Sequence, residues 1–118
     1  MTIYQRTGAV FEAAGVPGFL QMFRRTEEYP EMPDTFAVYN ISQTRSPLCA
    51  DDVEIARMYT VHIDVYGKGD VSGAVEAIRE ALAAADYALP VLSDQPDLYG
   101  LALQYHTAIS TSYVDYDL

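Results

Sequence analysis

Between Glu54 and Asp86 the sequence changes period once, and that change constrains the fold more than any other feature. Along Glu54–Tyr66, residues Ile55, Tyr59, Val61, Ile63 and Val65 fall on one side, interrupted only by Arg57. Glu54, Ala56, Met58, Thr60, His62, Asp64 and Tyr66 fall on the other. Alternation of this length predicts a strand with one covered face and one polar face. Gly67-Lys68-Gly69 breaks the pattern. Val71, Val75, Ile78, Leu82 and Ala85 then recur in steps of four and three, the stripe of an amphipathic helix. Asp70 stands where an N-cap is wanted, and the run EALAAAD favours helix strongly. Stripe and strand face each need cover, so the helix is expected to pack on Val61, Ile63 and Val65.

A chain of 118 residues suits one domain, residues 1–118, with a core of its own. Half of its residues are hydrophobic, which excludes a disordered chain. No apolar run reaches membrane-spanning length. The start, MTIYQRTGAVFEAAG, lacks the basic end and apolar centre of a signal peptide, so a cytoplasmic product is expected. A net charge of −10 argues against a protein that grips nucleic acid through its phosphates. It leaves plain solubility, an acidic interaction surface, or a surface that repels or imitates DNA. The single cysteine, Cys49, has no partner for a disulfide or a zinc site.

In chain order, Ile3 to Ala14 reads as a helix stopped by Gly15. Phe19–Phe23 follows as a short strand. Arg24–Asp34, with Pro30 and Pro33 among four acids, reads as a loop. Phe36–Ile41 is apolar on both faces, which suits a central strand. Thr44–Val53, held open by Pro47, reads as a second loop. Tyr87–Leu98, with Pro90 and Pro96, fits a short edge strand, and Leu101–Val114 alternates again. The expected architecture is α+β, a single layer of mainly antiparallel sheet with two helices packed on one face.

The catalytic inventory is thin. GKGDVSG has its glycines misplaced for a phosphate loop, and neither His-Glu-x-x-His nor G-x-S-x-G occurs. His62 and His106 lie on the polar faces of two strands. If those strands are neighbours, the histidines come close to each other and to Asp64, and a metal or acid–base site there is one reading. The other is a half-wet interfacial face, since Met58, Thr60, His62, Asp64 and Tyr66 suit a subunit interface or a channel wall. Asp51-Asp52 has no further oxygen ligands at cation-binding spacing. The expectation is no catalysis, no cofactor and no metal. Tyr29, Met32, Leu48, Asp51, Asp52, Met58, His62 and Asp64 are the candidate subunit-interface residues.

MPDTFAVYNIS, CADDVEIARMYTVHIDVYGKGD, VSGAVEAIREAL and LYGLALQYHTAIS occur in that order over nearly the whole chain. In that order and spacing the sequence resembles the tail completion and tail terminator proteins of long-tailed bacteriophages, prophages and gene transfer agents. The resemblance implies a structural protein, not an enzyme. It implies self-assembly into a ring, commonly a hexamer, that caps the tail tube and meets the head–tail connector protein. DNA would pass through the lumen without specific binding, and no membrane is involved. The expected location is the virion tail, assembled in the bacterial host cytoplasm. Two alternatives stay open: an acidic DNA-mimic or inhibitor protein, and a small-molecule-binding α+β domain.

Overall fold

The central alternation becomes a strand of 15 residues, and the sheet is laid out from it. A computed structural model describes residues 2–23, 25–43, 48–50, 53–95 and 105–116. Along the chain run α1 (Ile3–Ala14), β1 (Gly18–Leu20), β2 (Thr35–Gln43), β3 (Leu48–Ala50), β4 (Val53–Gly67), α2 (Ser72–Ala84), β5 (Val91–Gln95) and β6 (Tyr105–Asp115). The sheet order is β1-β2-β4-β6-β5, and β3 pairs with the first residues of β4. β1 runs parallel to β2; the other described pairings are antiparallel. The fold is α+β.

Both helices are set by local chemistry. Thr2 caps α1 in a reciprocal box: its hydroxyl accepts from the Gln5 N–H at 3.1 Å, and the Gln5 side chain accepts from the Thr2 N–H at 2.9 Å. Gly15, at φ 71°, ends α1 in the left-handed conformation that glycine adopts without strain. Asp70 is not the N-cap of α2; Val71 occupies that position and brings no side-chain cap. The Asp70 carboxylate instead accepts from the backbone N–H of Ser72 at 2.9 Å and from its hydroxyl. These two bonds hold the Asp70 carboxyl below its ordinary value.

Register sorts the side chains. Tyr39 faces Ile63, and Ile63 faces Ile109 on the far side. One hydrophobic cluster joins Ala37, Tyr39, Val61, Ile63, Val65 and Ile109 to Val10 and Phe11 of α1 and Val75, Ile78 and Leu82 of α2. Phe11 stacks on Tyr39 with ring centroids 5.0 Å apart. Gly18 permits that closeness, since a Cβ there would lie 2.5 Å from the Phe11 ring. One polar pair is sealed in the same region: the Thr7 and Tyr87 hydroxyls share a hydrogen bond of 2.7 Å.

Two expectations about the strands need correction. The strand expected over Phe19–Phe23 stops at Leu20, because Gln21 turns the chain with φ 68°. Thr44–Val53 is not loop throughout: Leu48–Ala50 forms β3, a hairpin arm against the start of β4. Pro47 and the rest of 44–47, like 51–52, lie outside the described residues. Of the strand expected over Leu101–Val114, Tyr105 onward is strand, and 101–104 lie outside the described residues.

Candidate functional site

Even-numbered residues of β2, β4 and β6 make the second face of the sheet, and the antiparallel registers bring the chemistry-bearing ones together. Tyr66 stands opposite Phe36 on one side and opposite His106 on the other. The rings follow: Phe36 stacks on Tyr66 at 5.4 Å, and Tyr66 on His106 at 4.5 Å with planes only 12° apart. The row continues past Phe36 to Phe19, at 6.3 Å, and Phe23, at 6.1 Å. Tyr29 meets Phe19 edge-on at 5.6 Å.

The 25–34 segment is therefore not a free connector at Tyr29. Its backbone closes on itself, the Thr26 N–H donating to the Tyr29 carbonyl and the Tyr29 N–H to the Thr26 hydroxyl, both at 3.0 Å. That turn lays the Tyr29 ring on the aromatic row. Met32, farther along, is exposed.

Beyond the aromatic row, Asp64 is shared by two imidazoles. His106 Nε2 donates to Asp64 Oδ1 at 2.7 Å, and His62 Nε2 lies 3.4 Å from the same oxygen. The contact to His106 is diagonal, since Ala108 stands directly opposite Asp64. Side-chain exposure grades from 49% at His62 through 19% at Asp64 to 11% at His106. The other ring nitrogen of His106, Nδ1, is buried and meets no hydrogen-bond partner among the described residues. His62 reaches water. The cluster thus presents one accessible imidazole and one carboxylate from a fixed base of stacked rings.

Of the residues expected at an interface, Met58, His62 and Asp64 share this face, with Met58 half-buried and toward its far end. Tyr29 and Met32 belong to the segment beside its aromatic end. Leu48 lies in β3, away from the His62–Asp64–His106 cluster in register. Asp51 and Asp52 lie outside the described residues. The reading that brought His62, His106 and Asp64 together depended on the two strands being neighbours, and β4 and β6 are. Sequence reasoning missed the row Phe19, Phe36, Tyr66 and His106. Its signal was aromatic residues on the polar side of two strands, legible only once register is known.

Among the described residues, no group of three or more His, Cys, Asp or Glu is arranged to hold a metal ion. No helix among them is long and apolar enough to cross a membrane. A cleft of about 680 Å³ lies away from the histidines, between α1 and the 28–29 turn, with Gln5, Gly8, Glu12 and Tyr29 on its walls. Compared with protein-family models and with curated proteins, the chain matches none.

Proposed function

We propose that the chain is a structural protein that assembles into a ring on the end of a phage tail tube and joins it to the head connector. The observation that carries this reading is the order of the segments with the family likeness, which fall on β2, β4, α2 and β6 of an α+β fold. Charge supports it: a lumen lined by a chain of net charge −10 repels the DNA backbone, so DNA passes without sticking. The exposed Met32 supports it as well, since an apolar side chain in a loop braced by Pro30 and Pro33 docks at low entropic cost. The mixed face, with His62 accessible, is of the composition that a subunit contact or lumen wall accepts.

The test is complementation. A phage lacking this gene is expected to make tails of uncontrolled length, or heads and tails that fail to join. Normal tails that join heads normally in its absence would end the reading. The reading also holds that His62 and His106 serve no required metal. Dialysis against a chelator is then expected to leave the melting temperature unchanged. A stoichiometric metal that survives plain dialysis and is lost in the His62→Ala/His106→Ala variant would contradict that.

A further inference from the structure

The cleft beside α1 takes no part in the ring reading. Its volume, about 680 Å³, is that of a cleft that holds a ligand. One wall is a single stripe of α1: Gln5, Gly8, Ala9 and Glu12 recur at the spacing that puts residues on one helix face. The other wall is the turn that carries Glu28 and Tyr29, pinned by the two bonds between Thr26 and Tyr29. Phe11 and Val16, both buried, lie at the bottom.

Three glycines line this cleft, and two of them have reasons inside the chain. Gly15 ends α1 at φ 71°, and Gly18 leaves room for the Phe11 ring. Gly8 has neither reason. It sits within α1, its φ is not positive, and a Cβ there would meet nothing within 4 Å. Glycine inside a helix weakens it relative to alanine, and no packing within the chain offsets that. What Gly8 does is keep the middle of the wall bare, where a second backbone can come close.

The charge of the cleft is of one sign. Glu12 stands on one wall and Glu28 on the other, both exposed, and no Lys or Arg is among the described residues that line it. Arg25 lines the adjoining hollow, which shares Glu28 and adds Glu31, so the surroundings stay net acidic. Carboxylates at the mouth repel a phosphate backbone. Above an apolar bottom they suit lysine and arginine, whose stems lie on apolar surface while their heads stay in water.

We infer that this cleft takes an extended basic segment of a partner protein. The segment's backbone passes Gly8, and its lysines or arginines reach Glu12 and Glu28. The inference goes beyond the ring reading and does not rest on it.

Anisotropy of a fluorescein-labelled peptide of alternating lysine and alanine reads the binding on the purified chain. Wild type is expected to bind it saturably, and more weakly as salt rises. Gly8→Leu fills the cleft without changing a charge; it is expected to abolish saturable binding while melting no lower than wild type. Glu12→Gln is expected to weaken binding by up to about fivefold, the worth of one exposed ion pair. Glu80→Gln, which removes the same charge from an exposed position on α2, is expected to leave binding unchanged. Amide shifts measured on wild type locate the peptide even where a variant misfolds: those of Gly8, Ala9 and Glu28 are expected to move, and those of α2 to stay. Binding retained in a folded Gly8→Leu, an equal loss in Glu80→Gln, shifts spread over α2, or no saturable binding by wild type would each overturn the inference. Spermidine that displaces the peptide as well as unlabelled peptide does would overturn it too, in favour of a free polyamine. So would self-association of the chain that Gly8→Leu abolishes, in favour of a second copy.

Discussion

The two faces of this sheet are closed by different physics. On one, Val61, Ile63, Val65 and Ile109 are wholly buried and aliphatic, and they share a cluster with the buried residues of both helices. Cover there is a matter of area, and almost any well-fitting apolar group would serve. On the other, rings from β2, β4 and β6 stack in a row that Phe19 of β1 meets edge-on, a short turn lays Tyr29 on its end, and a carboxylate between two histidines finishes it in water. Cover there depends on direction: ring against ring, N–H against oxygen. The lesson is that specific contacts can half-close a face and still keep a chemically varied surface on offer.

The sharpest way to break that contrast is to truncate the aliphatic side. Ile78→Ala or Leu82→Ala is expected to cost about 2–5 kcal/mol, read as a shift in the urea midpoint with m unchanged. A neutral result for either would remove α2 from the core. Next in size is the one directional contact inside that region. Tyr87→Phe leaves the Thr7 hydroxyl buried without its partner, at a cost of about 1–3 kcal/mol. The same residue sets an alkaline limit. Burial pushes the Tyr87 hydroxyl above its ordinary value of 10.0, outweighing the bond from Thr7. The folded state therefore holds its proton longer than the unfolded one. Stability is full below pH 10.0 and falls as pH rises through the folded value. In Tyr87→Phe that part of the alkaline fall should disappear; an unchanged profile would mean that another group causes it.

On the mixed face the expected effects are smaller. Tyr29→Leu keeps apolar bulk but loses the edge-on contact with Phe19, for about 0.5–1.5 kcal/mol. A cost as large as that of Leu82→Ala would erase the distinction between the faces. The smallest effect lies off both faces, at Asp70. Its carboxyl is held below the ordinary value of 3.8 by the bonds from Ser72. Its contribution is present above pH 3.8 and is lost as pH falls through the lower, folded value. Wild type and Asp70→Asn should differ slightly at neutral pH and converge in acid; a gap that persists in acid would assign the effect to something other than charge.

Much of this architecture was legible in the sequence because burial on one face imposes period. Val61-x-Ile63-x-Val65 and the stripe Val75, Ile78, Leu82 could hardly have been read otherwise. Gly15 announced the end of α1 in the same direct way. What was not legible depended on register and on short-range geometry. β3 is three residues long, too short for any period to show. Asp70 looked like a cap because an acid before an apolar helix usually is one, yet its carboxylate turns to Ser72, and the helix starts one residue later. The neighbourhood of His62, Asp64 and His106 could be stated only conditionally, because alternation says which face a residue takes and not which strand lies beside it. The apolar ends of the sheet were hidden for the same reason: Leu20 and Val91 look like ordinary strand residues until strand order shows that, among the described residues, β1 and β5 have one neighbour each.

β4 has β2 on one flank and β6 on the other all the way from residue 59 to residue 67. Every amide in that stretch points at a partner strand, whichever way it turns. In heavy water those hydrogens have no local route out, since freeing either flank takes the sheet apart. They should be the last in the molecule to exchange, at the rate of whole-molecule unfolding. Amides on the outer edges of β1 and β5 should exchange far earlier.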